Sequence, residues 1–172
     1  MHGDPRPSDW IVRHAGLVPE GGTVLDVAAG GGRHTRLLRR LGHPVVAVDI
    51  DIAGLSDLAD DPEVELLQHD LEDGGPWPFA DRRFAGVVVT NYLWRPILAD
   101  IVASVAPGGA LLYETFAAGN ERFGKPSNPD FLLQPGELLD AVRGAFRIVA
   151  YEDIEQSEPK PAMVQRIVAL RS

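Results

Sequence analysis

Val24-Leu25-Asp26-Val27-Ala28-Ala29-Gly30-Gly31-Gly32-Arg33-His34 decides the fold: an apolar strand carrying a carboxylate turns on three glycines and enters a helix. Glycines permit positive φ and let a ligand approach main-chain N–H groups that a Cβ would shield. The stretch therefore reads as the cradle of a nucleotide-like cofactor, and the residues around it narrow which one.

Working outward, Trp10, Ile11, Ala15 and Val18 mark a short amphipathic helix before the Gly21-Gly22 turn and a strand over 23–27. After the glycines a helix is expected over 33–41, stopped by Gly42, and then the apolar run 45–48 ends on Asp49 as a buried parallel strand does. A helix over 52–58 and a strand over 64–68 follow, with no helix fitting the Gly/Pro/Trp loop before a strand over 84–90. Pro96 opens a helix carrying Ile97, Leu98, Ile101, Val102 and Val105 on one face, ended by Pro107-Gly108-Gly109. A strand over 110–115, a helix over 135–142 and strands over 146–151 and 163–170 complete the chain. Alternating strands and helices predict an α/β, Rossmann-like doubly wound, mostly parallel seven-stranded sheet, with ligands at the strand carboxyl ends. The last two strands, lacking a helix between them, are expected to pair antiparallel.

A chain of 172 residues fits one domain over 1–172 on a prior of about 100 to 200 residues per domain. The first eight residues lack the basic start and apolar stretch of a secretory signal and read as a disordered lead-in. No apolar run reaches the ~18 residues that span a bilayer, so a cytoplasmic protein with no membrane role is expected. Sixteen basic against 25 acidic residues give a net charge of −9, which opposes nucleic-acid binding. Arg33, Arg36, Arg39 and Arg40 read as a solvated helix face. The absence of cysteine excludes disulfides and thiolate ligands, and the five histidines show no paired metal-ligand spacing, so no metal is expected.

A dinucleotide fingerprint fails because Thr35 stands where a third small residue is needed, and no Gly-Lys-Ser/Thr completes a phosphate loop. Asp26-x-Ala28-x-Gly30-x-Gly32 instead resembles the first motif of the class I S-adenosylmethionine-dependent methyltransferases. Ala28 stands where that motif has its first glycine, a change tolerated if Ala28 keeps a negative φ. The resemblance covers residues 23 to about 114. Gly32-Arg33-His34-Thr35 and the stretch 41–49 are most similar to the small bacterial tellurite-resistance methyltransferase type. It implies S-adenosylmethionine as cofactor, held by Asp26, Ala28, Gly30, Gly32, Asp49, Asp70, Leu71 and Asn91. Asp49 would accept from the ribose hydroxyls, Asp70 from the adenine amino group, and the Leu71 N–H would meet a ring nitrogen. One strand-end Asp is ordinarily a cap or turn residue; three in register with a glycine turn point to one ligand.

The expected reaction is in-line methyl transfer to a small molecule, governed by alignment and water exclusion. The acceptor wall is expected after the fourth and fifth strands, with Tyr92 and Glu114 as candidate catalytic groups and Glu114 a candidate base if burial raises its pKa. Arg95, Arg122 and Lys125 are candidate substrate-binding residues. Residues 116–133 form either a lid or a plain Ω-loop. The competing readings are a non-catalytic module that senses S-adenosylmethionine or supports a partner, and an NAD-dependent enzyme.

Overall fold

The computed structural model describes residues 5–172. The apolar runs become strands β1 (Val24–Val27), β2 (Val45–Asp49), β3 (Val64–Gln68), β4 (Phe84–Thr90), β5 (Val105–Phe116), β6 (Phe146–Gln156) and β7 (Ala162–Arg171). They form one sheet in the order β3-β2-β1-β4-β5-β7-β6. The first five pair in parallel, whereas β7 inserts between β5 and β6 and runs antiparallel to both. Strand order reverses between β1 and β4, which opens a crevice at their carboxyl ends.

Helices α1 (Asp9–His14), α2 (Arg33–Arg40), α3 (Leu98–Ala103) and α4 (Glu137–Ala141) cover the sheet. The period-two alternation within a strand separates two cores. Val24, Ala47, Val88 and Leu112 pack with Trp10, Ile11, Leu37, Leu38 and Leu55 on one face. Leu25, Val48, Val89 and Leu111 pack with Ile97, Ile101 and Leu138 on the other. Burial on both faces is why the central strands read as continuous apolar runs.

Several elements depart from the predicted bounds. The expected helix over 52–58 is a 3₁₀ segment, Ala53–Leu58, whose Gly54 and short apolar content leave Leu55 as its buried anchor. The helix after Pro96 is split into a 3₁₀ turn, Arg95–Ile97, and α3. Pro107-Gly108-Gly109 does not end it directly. The three residues lie inside β5, where the pairing slips between Phe84 opposite Val105 and Gly86 opposite Ala110, so the turn residues sit in an irregularity. Strand β6 continues five residues past the predicted end at Tyr151, because its partner β7 is long enough to pair as far as Gln156 with Ala162.

Candidate cofactor and acceptor site

The glycine turn leaves β1 and enters α2 with Gly30 at φ 57° and Gly32 at φ 85°. A Cβ on Gly32 would stand 2.2 Å from Leu55 Cδ2, so close helix packing as well as left-handed backbone requires this glycine. Around Gly30 and Gly31 the Cβ positions face open space. Ala28 overturns the expectation of a negative φ: it stands at 54°, in a region that costs an L-residue roughly 1–2 kcal/mol. Among the described residues the only other non-glycine with left-handed backbone is Asn91, also at φ 54°. Both follow the carboxyl ends of β1 and β4, at the crevice where strand order reverses, and strained backbone concentrates at functional sites. Ala28→Gly is expected to raise unfolding stability by about 1 kcal/mol, measured by denaturant titration, because glycine relieves the φ penalty.

Asp26 does not reach the crevice. It is 2% exposed, turned beneath the glycines toward α2, where the Thr35 hydroxyl donates to Oδ2 at 2.6 Å. Burial pushes its pKa from 3.8 up to about 7 against the opposing bond from Thr35. The carboxyl thus ties β1 to α2. Folded, Asp26 retains a proton that the unfolded chain releases once pH exceeds the ordinary carboxylate value. Its contribution to stability is full below about pH 4 and is lost as pH rises toward about 7. The melting temperature of the natural protein relative to Asp26→Asn is expected to fall across that window and to level off above it. A flat difference contradicts a buried neutral carboxyl.

Asp49 closes the cradle at the end of β2. Its Oδ2 accepts the Gly30 N–H at 2.8 Å and its Oδ1 the Asp51 N–H at 3.0 Å, so one carboxylate fixes the turn while remaining at the sheet edge. Ile50 beside it is 62% exposed, an apolar face that internal packing does not use and that the sequence reading missed. At the end of β3, Asp70 is exposed and accepts the Glu72 N–H at 2.9 Å, while Leu71 packs partly against the core. Arg36 ties this edge together by donating to the Gly31 carbonyl, to the Gly54 carbonyl and to Asp57.

Two cavities meet at Asn91 and Phe116, beyond β4 and β5. The larger, about 500 Å³, lies between residues 6–10, Arg33 and the β6–β7 end of the sheet. The smaller, about 260 Å³, is lined by Tyr92, Glu72 and Phe131 among others. Glu114 lines the larger one, but Arg166 donates to its Oε2 and the Ser8 hydroxyl to its Oε1. Tyr92 donates its hydroxyl to Glu72 at 3.1 Å. Burial and that carboxylate push the phenol further up from its ordinary pKa of 10, so it remains protonated at neutral pH. The Tyr113 hydroxyl donates to the Tyr92 carbonyl at 2.8 Å and fixes the loop after β4.

A family model described as a methyltransferase domain matches residues 24–109, half of the chain and the segment that contains the cradle. The chain belongs to the class I S-adenosylmethionine-dependent methyltransferase family. Solved structures share the methyltransferase fold. The Burkholderia thailandensis 1,6-didemethyltoxoflavin-N1-methyltransferase is 21% identical, with a TM-score of 0.69 over 95% of this chain and 76% of its own. TehB from Haemophilus influenzae is 18% identical, with a TM-score of 0.72 over 100% of this chain and 63% of its own. The glycopeptide N-methyltransferase MtfA is 21% identical, with a TM-score of 0.64 over 100% and 92%. No curated protein matches the chain.

The cofactor of this methyltransferase is S-adenosylmethionine, and the edge residues fit it. Carboxylate acceptors Asp49 and Asp70, apolar Ile50 and Leu71, and open space above Gly30 and Gly31 suit hydroxyls, an amino group and a flat ring.

Three residues expected on the acceptor side serve the methyltransferase elsewhere. Arg95 forms an ion pair with Glu137 at 2.8 Å and donates to the carbonyls of Asp130 and Leu132, so it clamps the 116–133 segment rather than facing a cavity. Arg122 is drawn outward to Glu155 at 3.4 Å and lies over the Phe123 ring. Lys125 is exposed, and neither cavity is lined by any of the three. The segment itself is pinned at both ends: Leu133 N–H donates to Phe116 and Ala118 N–H to Leu133, while buried Asn120 bonds Pro126 and Met163. The arginine face of α2 is likewise engaged. Arg33 lines the larger cavity, Arg36 holds the turn and Arg39 pairs with Asp61.

Of the expected disordered lead-in, residues 1–4 lie outside the described residues. Residues 5–8 carry order that the sequence did not show. The Arg6 carbonyl accepts from Arg33 at 3.0 Å, and the Ser8 N–H donates to His34 at 2.9 Å.

Proposed function

We propose that this methyltransferase is a cytoplasmic enzyme that transfers a methyl group to a small-molecule acceptor seated beside Asn91, and that it binds neither nucleic acid nor membrane. The observation that carries this reading is the cavity of about 500 Å³ that adjoins the cradle through Arg33 and Asn91. That volume lies within the roughly 300–1,000 Å³ of small-molecule sites. A structural neighbour that binds 1,6-didemethyltoxoflavin together with S-adenosylhomocysteine supports it, as does the charge of −9 against a polyanionic substrate.

Gly30, Gly32 and Ala28 shape the turn; Asp49 would accept from the ribose and Asp70 from the adenine, the Leu71 N–H would donate to the ring, and Asn91, which lines both cavities, would contact the cofactor. When bound, S-adenosylmethionine supplies an electrophilic methyl on its sulfonium. The chain contributes alignment and water exclusion. Residues 6–8 roof the larger cavity, Tyr113 holds the loop after β4, and the ion pair of Glu114 with Arg166 stiffens the far wall. Tyr92 stays a phenol and Glu114 is spoken for by two donors, so both are positioning groups for an acceptor that arrives as a competent nucleophile.

Labelled S-adenosylmethionine offered with small thiols, oxyanions, carboxylic acids and amines tests the proposal. Label is expected in one acceptor class. Persistent cofactor binding with no transfer to any of them favours the sensor reading, which the engaged state of Tyr92 and Glu114 otherwise supports.

A further inference from the structure

His34 is a buried titratable group to which neither the cofactor cradle nor the acceptor wall gives a role. It is 3% exposed, in the first turn of α2, two residues after Gly32. The Ser8 N–H donates to its Nε2 at 2.9 Å, and the Thr90 hydroxyl stands 3.4 Å from Nδ1. With Nε2 accepting, the ring proton resides on Nδ1 and faces Thr90. Burial, aided by the neighbouring Arg33, lowers the pKa from 6.5 to about 3, so the Nε2 lone pair is available at neutral and mildly acidic pH. One ring therefore joins the helix that carries the glycine turn, the residue before Asn91, and the N-terminal segment over the larger cavity.

Ser8 supplies an independent sign that this segment is held for the site. It occupies the N-cap of α1, where a serine hydroxyl ordinarily bonds its own helix and contributes about 1 kcal/mol. Here it makes no such cap. Its hydroxyl donates to Glu114 Oε1 at 2.6 Å, across the cavity wall.

We propose that His34 is a positioning residue that latches residues 6–8 as the roof of the acceptor cavity, through the helix that the glycine turn opens. The inference rests on reading that cavity as the acceptor chamber. Cofactor binding at the turn and closure of the roof then favour one another reciprocally.

Amide hydrogen exchange on the full chain, with and without S-adenosylhomocysteine, tests the latch without a known acceptor. In the natural protein the Ser8 amide is expected to be protected, and further protected by ligand. In His34→Ala it is expected to exchange about tenfold faster, and the ligand to dissociate about tenfold faster, as for one lost hydrogen bond. His34→Gln, whose side-chain oxygen accepts an N–H without titrating, restores both. Should His34→Ala fail to fold, His34→Phe keeps a ring of similar size without the Nε2 acceptor and is expected to speed Ser8 exchange and ligand dissociation in the same way. Unchanged Ser8 exchange in whichever of the two variants folds overturns the latch. Absence of ligand binding to the natural protein instead overturns the cofactor reading, while Ser8 exchange in the free protein still decides the latch.

Discussion

Asp49→Ala is expected to weaken S-adenosylhomocysteine binding about a hundredfold, a loss of about 2.7 kcal/mol. Two effects add. The variant removes a carboxylate acceptor from the sheet edge, and hydrogen bonds to charged groups contribute about 1.5–3 kcal/mol. It also releases the Gly30 and Asp51 N–H groups that Asp49 holds at 2.8 and 3.0 Å, which loosens the turn that a ligand must meet. Those groups lie near solvent, so water replaces the lost partner and unfolding stability should change little. Asp49→Asn, which keeps an acceptor but loses the charge, is expected to fall between. Calorimetric titration of the three proteins checks the series, and a loss below about threefold for Asp49→Ala removes Asp49 from the cradle.

Arg166→Met is expected to cost about 3 kcal/mol of unfolding stability, the scale of breaking a largely buried ion pair. Arg166 donates from Nε to Glu114, from Nη1 to Glu152 at 2.9 Å and from Nη2 to Gln156 at 2.6 Å. Its guanidinium also lies 6.0 Å from the Trp10 ring centroid. Glu114, Arg166 and Glu152 stand opposite one another across β5, β7 and β6. Removing the cation therefore leaves Glu114 and Glu152, on either side of it, without their shared partner. Adding Glu114→Gln to Arg166→Met is expected to recover a substantial part of the loss, because one of the stranded charges is gone. Denaturant unfolding of the single and double variants measures this coupling, and strictly additive losses contradict it.

The fold was legible because its parallel strands are short apolar runs bounded by glycine, proline or Asp, and their spacing leaves few topologies. The meeting of Asp49, Asp70 and Gly30 at one sheet edge was legible for a related reason: the strand ends and the turn are local features of β-α-β units, brought together by parallel pairing. Where local reading failed, the cause was a long-range partner or a backbone angle. Asp26 looks like a ligand contact until Thr35, nine residues on, takes its carboxyl. The positive φ of Ala28 is invisible in a residue that normally avoids it. Glu114 reads as a free acid, yet its partners Ser8 and Arg166 lie 106 and 52 residues away. Arg95 is diverted by Glu137, 42 residues on. The 3₁₀ segment Ala53–Leu58 shows the opposite limit, since a helical apolar pattern this short does not settle which helix forms.

The most direct measurement is calorimetric titration of the natural protein with S-adenosylhomocysteine and, separately, with NADH. The expected result is one saturable site for S-adenosylhomocysteine and no comparable binding of NADH, because Thr35 stands where a dinucleotide turn needs a third small residue. Preferential binding of NADH contradicts the carboxylate-and-glycine cradle.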